Sequence, residues 1–217
     1  MKYVLILVEG QTEEHFVKNV LRDHLSAHGV WITPTILTTK RVKHGPDFKG
    51  GVTSYAKVKR ESRRLLGNTS TALVTTMFDL YALPGDFPGR ADAGGAPLEK
   101  AHHIEQAFTQ DIGHPRFAGH LSLHEFEGML FSEPPQIARA LNDPGTTGDL
   151  QRIRDGFATP EDINDDQRTA PSKRITAVFP AYSKVLFGAL IAERIGLQTI
   201  RRECPHFSNW LARLEQL

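Results

Sequence analysis

Apolar residues in the first part of the chain follow two alternating rhythms. Residues 3–8 form a short, nearly continuous apolar run rich in Val, Leu and Ile, the pattern of a strand buried on both faces. Phe16, Val17, Val20, Leu21 and Leu25 then recur at helical spacing up to Gly29. Thr12 is placed to cap that helix, with Glu13 and Glu14 in its first turn, where the dipole favours anions. Residues 31–38 are β-branched and predict a strand, and Pro34 within them predicts an edge position or an irregularity. A Gly/Pro-rich loop over 44–51 leads into a basic helix over 52–66. A strand over 71–78, a long loop over 82–97, a helix over 98–108 and a strand over 117–123 follow. Alternation of strand and helix predicts an α/β fold with a mostly parallel sheet flanked by helices.

After Phe131 the pattern changes. Pro134 and Pro135 open a helix to Leu141, 142–149 reads as a turn, and 181–195 and 207–217 read as helices. The polar stretch 155–173 is the candidate mobile segment. The expected organisation is an α/β core over 1–132 and a mainly helical extension over 133–217 packed on it.

Bulk composition changes this picture little. The chain has 217 residues, 40% hydrophobic and 24% charged, with a formal net charge of +1, ordinary values for a globular domain. Its single cysteine, Cys204, excludes an internal disulfide framework and a cysteine-rich zinc site. No signal-peptide pattern or membrane-length apolar run is present, so a cytoplasmic protein without a membrane partner is expected. Charge is uneven, however. Residues 40–64 carry Lys40, Arg41, Lys43, Lys49, Lys57, Lys59, Arg60, Arg63 and Arg64 against Asp47 and Glu61 alone. Lys57, Arg60 and Arg64 fall on one helix stripe. Lys40, Arg41, Lys43, Lys57, Arg60, Arg64 and Lys184 are the candidates for contacts to a nucleic-acid backbone.

The candidate chemistry lies where apolar strands end. The first runs into Glu9-Gly10-Gln11-Thr12-Glu13, the second into Asp79, and residues 119–123 into His124-Glu125-Phe126-Glu127. By itself each acid reads equally well as a helix-entry or turn residue. Together, at the carboxyl ends of strands in an open α/β sheet, they mark a ligand site. Gathered carboxylates repel unless a cation neutralises them. Glu9, Asp79 and one of Glu125 and Glu127 suffice for Mg²⁺ (or Mn²⁺), which keeps waters and needs few protein ligands. Asp86 and Asp92 are weaker candidates, and His124 is a candidate base or ligand. There is no His-Glu-x-x-His, no phosphate-binding Gly-x-x-x-x-Gly-Lys-Ser/Thr and no Gly-x-Ser-x-Gly elbow. His102 and His103 are adjacent and do not share a helix face.

Four segments carry a family resemblance: Val8-Glu9-Gly10-Gln11-Thr12-Glu13, Phe78-Asp79-Leu80-Tyr81-Ala82-Leu83-Pro84, His124-Glu125-Phe126-Glu127-Gly128-Met129-Leu130-Phe131, and Ile195-Gly196-Leu197 through Cys204-Pro205-His206-Phe207. In order and spacing the chain resembles the DUF4276 family, grouped with Toprim-like domains of topoisomerases, primases and OLD-type nucleases. The resemblance implies a Toprim-like core in which Glu9 is a general acid/base and Asp79 the first Asp of an Asp-x-Asp metal motif. Tyr81 stands where that motif has its second Asp. The resemblance also implies bacterial anti-phage defence beside an ABC/AAA-type ATPase partner. The expected function is Mg²⁺-dependent nuclease-type hydrolysis of DNA or RNA. The alternatives are a non-catalytic, nucleic-acid-binding or regulatory subunit of such an ATPase, and another Toprim-type phosphoryl chemistry such as nucleotidyl transfer.

Overall fold

The computed structural model describes residues 1–40, 48–49, 52–163 and 168–217; of residues 38–40 and 48–49 only the backbone is described. Strand β1 (Lys2–Val8) leads into α1 (Gln11–Phe16), which continues through a π-helical stretch (Val17–Leu21) into α2 (Arg22–Ala27). Strand β2 (Val30–Ile36) is followed by a small antiparallel pair, β3 (Thr38–Lys40) and β4 (Phe48–Lys49). Residues 48–49 are therefore strand, although they lie in the stretch expected as loop. Helix α3 (Tyr55–Leu66), strand β5 (Thr71–Asp79) and helix α4 (Pro97–Ile112) come next. The expected strand over 117–123 divides into β6 (Phe117–Ala118) and β7 (Leu121–Ser122), both paired with β5.

The main sheet runs β2-β1-β5-β6, with β7 beside β6 on the same strand, and every pairing in it is parallel. Pro34 lies in β2, the edge strand, where its missing N–H breaks no inner ladder. Side chains alternate across the sheet. Val4, Ile6, Val8 and Met77 enter a core with α1, the helices Lys184–Ile195 and Pro205–Glu215 and the 126–131 segment, while Leu7, Val74 and Phe78 enter a second core with α3 and α4. Both faces are covered, which is why β1 and β5 read as continuous apolar runs.

The C-terminal segment is helical: α5 (Pro134–Ala140), α6 (Thr147–Asp155), α7 (Pro171–Val178), α8 (Lys184–Ile195), α9 (Leu197–Glu203) and α10 (Pro205–Glu215). Helices α6, α7 and α9 are absent from the sequence expectation. They are short, and their apolar stripes of one or two residues fall below what periodicity resolves. Within the polar stretch expected to be mobile, residues 164–167 lie outside the described residues. Glu161 in that stretch is buried, and its carboxylate accepts the backbone N–H groups of His206 and Phe207 at 2.8 and 2.9 Å. That contact caps α10 and fixes the turn. Helix α8 packs closely on α1. A Cβ at Gly188 would stand 2.7 Å from Thr12 Cγ2, so only glycine allows this approach.

Candidate functional site

The parity of β5 decides where Asp79 points. Thr75 and Met77 face the layer of α1, α8 and α10, and Asp79, two residues on, faces the same way at the carboxyl end of the strand. Beyond β1, Gly10 caps α1 with its N–H bound 2.9 Å from Glu13 Oε2. Glu13 is thereby held on the side of α1 toward the sheet, and Glu9 reaches across so that its Oε2 accepts the Asp79 N–H at 3.3 Å. Thr12, expected as the cap, is instead buried against α8. The third segment returns through His124, which has a left-handed backbone (φ 60°). The Tyr81 N–H binds His124 O at 3.1 Å, and the Phe126 N–H binds Asp79 Oδ1 at 2.8 Å. These bonds lay the 126–132 turn beside Asp79 and turn Glu127 inward, fully buried.

Lys184, the first residue of α8, stands at the centre. Its Nζ lies 2.9 Å from Asp79 Oδ2 and 3.3 Å from both Glu13 Oε1 and Glu127 Oε2. Tyr182 adds its hydroxyl, 3.4 Å from Glu127 Oε1. Glu13, Asp79 and Glu127 are each less than 5% exposed, so their charges are poorly solvated. Three carboxylates therefore share one ammonium, and Glu9 stands beside them on the Asp79 N–H. Burial first, then the Asp79 charge, pushes the Glu9 carboxyl up to about 8. Burial raises Glu127 to about 7 and also raises Glu13. For Lys184, burial alone would lower the ammonium, but Asp79, Glu127 and Glu13 outweigh it and hold it well above its ordinary value.

Oxygen donors in this number suit a hard divalent cation. Two of them, Glu13 Oε1 and Glu127 Oε2, are buried and receive no hydrogen bond from the described residues, although both lie within ion-pair reach of Lys184. These are oxygens of the kind Mg²⁺ or Mn²⁺ takes, but among the described residues the groups with three ligand atoms within 4.8 Å of one another lie elsewhere, and here Lys184 Nζ stands between the carboxylates.

The raised carboxylates give a pH dependence with a definite sign. A carboxyl raised in the folded state contributes stability that is complete below its unfolded value and is lost as pH rises through the folded one. In a chelator, the urea midpoint of the protein is expected to fall between about pH 4.5 and about pH 8, and part of that fall is expected to vanish in Glu9→Gln, the rest staying with Glu127 and Glu13.

The expected site residues divide accordingly. Glu9, Asp79 and Glu127 come together. Glu125 turns away, with Oε2 on the Ser172 N–H at 3.0 Å. Asp86 accepts the Tyr55 N–H and caps α3, and Asp92 is exposed near His103. His124 is buried and helps line a cleft of about 490 Å³ with Leu80, Tyr81, Arg90 and Lys100. This cleft begins at the residue after Asp79. Lys184, expected on a nucleic-acid surface, sits inside the acidic cluster. Arg60 and Arg64 are exposed and both pair with Glu61, and Lys57 donates to Thr53 Oγ1 at 2.9 Å. Arg41, Lys43 and the side chain of Lys40 lie outside the described residues. Glu13 is the site residue that sequence reasoning missed. Its signal was Gly10-x-x-Glu13, the spacing of a reciprocal cap, and its position one turn beyond Glu9.

Among the described residues no helix is long and apolar enough to cross a membrane. No curated protein matches the chain. Two solved structures of the C-terminal region of the Xanthomonas campestris pv. campestris OLD protein are similar to it. One, phased with iodine, aligns over 99% of this chain and 98% of its own, at 17% identity and a TM-score of 0.37. The other, phased with platinum, aligns over 97% and 94%, at 17% identity and a TM-score of 0.39. The family model described as "Domain of unknown function (DUF4276)" matches residues 8–215, nearly the whole chain, and the protein belongs to that family.

Proposed function

We propose that this protein is a divalent-cation-dependent phosphodiesterase acting on DNA or RNA. The observation that carries the reading is the convergence of Glu13, Asp79 and Glu127 from three segments on a single ammonium, with Glu9 on the Asp79 N–H beside them. Mg²⁺ or Mn²⁺ bound there would polarise a phosphate oxygen and lower the pKa of a bound water. Glu9, with a proton affinity near neutrality, takes the proton of the attacking water and returns it to the leaving oxygen. Lys184 stabilises negative charge developing on the phosphoryl group. Arg90 and Lys100 in the adjoining cleft hold the flanking phosphates, and Tyr81 and His124 line the same cleft. The exposed Arg60 and Arg64 extend this path only by giving up Glu61.

The test is cleavage of single- and double-stranded DNA and of RNA in Mg²⁺ and in Mn²⁺. Glu9→Gln and Asp79→Asn are each expected to lower the cleavage rate by about 10²-fold or more. Cleavage unchanged in both variants sinks the reading.

A second reading has its own observation. Lys184 already neutralises part of the cluster without any metal, and Tyr81 stands where a second acid would. On that reading the cluster is a structural joint between α8 and the sheet, in a regulatory or nucleic-acid-binding subunit of an ABC/AAA-type ATPase, and divalent cations leave stability unchanged. Anti-phage defence is the setting that the family resemblance implies for either reading.

A further inference from the structure

The tail motif Cys204-Pro205-His206-Phe207 has no part in the acidic cluster, yet His206 is buried. It meets a group of polar side chains on the outer side of β7. His102 and Glu105 lie three residues apart on α4, on one face of that helix. A ligand nitrogen or oxygen of His102, Glu105 and His206 falls within 4.8 Å of each of the others. His206 Nε2 is 2.9 Å from Glu105 Oε1, and the same oxygen receives the Leu121 N–H at 2.8 Å and faces His120 Nδ1 at 3.3 Å. All of these contacts fall on Oε1 and none on Oε2. His206 Nε2 also lies 3.1 Å from Leu121 O, whereas His206 Nδ1 is buried with no hydrogen-bond partner among the described residues. His102 is exposed, and a cleft of about 330 Å³ opens over His102 and Glu105.

We infer that His102, Glu105 and His206 form a second metal site, selective for a zinc-class divalent ion and separate from the acidic cluster. Two imidazoles and one carboxylate are the donor set of zinc and similar transition ions, whereas the all-carboxylate cluster suits a hard cation. Ligands at about 2 Å from a tetrahedral ion stand roughly 3.3 Å apart. The exposed His102 side chain can swing inward to close that gap, and water completes the shell through the cleft. Binding expels any proton on His206, since only a neutral imidazole is a ligand.

Comparison within the molecule supports the choice. His24, His28 and Glu215 form the other such group among the described residues, but Arg201 already grips Glu215 at 2.6 and 2.9 Å. Among the described residues Glu105 is paired with His120 and His206 and with no arginine or lysine. The ion would join α4 and α10 to β7, whose Ser122 lies opposite Asp79 in the sheet. Its effect would be to stiffen the strand end that carries the acidic cluster.

The experiment is titration of the chelator-stripped full chain with Zn²⁺ alone, against a colorimetric zinc indicator. Tryptophan emission is followed in parallel, because His120 stacks on Trp210 at 4.6 Å. One zinc per chain is expected, with a change in emission. His102→Ala is expected to weaken binding by at least 10-fold while melting like the wild type in chelator. Binding in Glu9→Gln/Asp79→Asn and in His28→Ala is expected to match the wild type. No zinc bound, binding unchanged in His102→Ala, or binding lost in the acidic-cluster variant or in His28→Ala would each overturn the inference.

Discussion

Replacing Lys184 with methionine is expected to destabilise the protein by about 3 kcal/mol or more at pH 8, measured by urea unfolding in chelator. Methionine keeps most of the stem and removes the ammonium, which also lies 5.9 Å from the centroid of the Phe126 ring. Glu13, Asp79 and Glu127 then lose their shared cation in a place water barely reaches. Removing one partner of a buried ionic group is costly because the other partners stay behind uncompensated. The loss is expected to shrink at pH 5, where Glu9 and Glu127 already hold protons in the wild type. The sign is fixed by linkage. Without the ammonium these carboxyls rise further, so stability is lost over a wider span of pH. A loss equal at pH 5 and pH 8 would mean that Lys184 acts through packing and not through charge.

Glu127→Gln and Glu125→Gln are expected to differ by at least 10-fold in cation-dependent cleavage. Both acids lie in one motif, and extended backbone would send them to opposite faces. Glu127 faces the ammonium and is fully buried, while Glu125 binds the Ser172 backbone in the 171–178 helix. Glu127→Gln is therefore expected to lower the rate by about 10²-fold, the size found when one charged or polar group at a developing anion is removed. Glu125→Gln is expected to stay within about threefold of the wild type, since an amide oxygen still accepts the Ser172 N–H. Equal effects would place both carboxylates on the reacting group.

Much of this arrangement was legible in the residues. Continuous apolar runs ending in acids gave the buried parallel strands, and the carboxyl end of such a sheet is where a site belongs. The inward turn of Glu127 was not legible, because it depends on the positive φ at His124 and on the Phe126 N–H finding Asp79. Lys184 left one trace. It is the first residue of α8, where the helix dipole disfavours a cation, and a lysine in that position needs nearby anions to hold it. Read only as part of the chain's scattered basic charge, it falls to a nucleic-acid surface. The 98–108 pattern gave α4 but not the His102–Glu105–His206 group, since His206 joins it from about 100 residues away and no spacing rule links them. Helices α6, α7 and α9 escaped for the opposite reason: each is so short that tertiary packing, not local pattern, decides it.

The most direct test is the melting temperature of the wild type and of Glu9→Gln/Asp79→Asn as Mg²⁺ is raised at pH 8. A cation bound only by the folded state contributes about 2.7 kcal/mol at a hundred times its dissociation constant. For a chain of this size that is about 5–10 °C. The account predicts a rise of this order in the wild type, smaller at pH 5.5 where protons compete for the same oxygens, and none in the double variant. A wild-type melting temperature indifferent to Mg²⁺ and Mn²⁺ at pH 8, or an equal rise in the double variant, would contradict it.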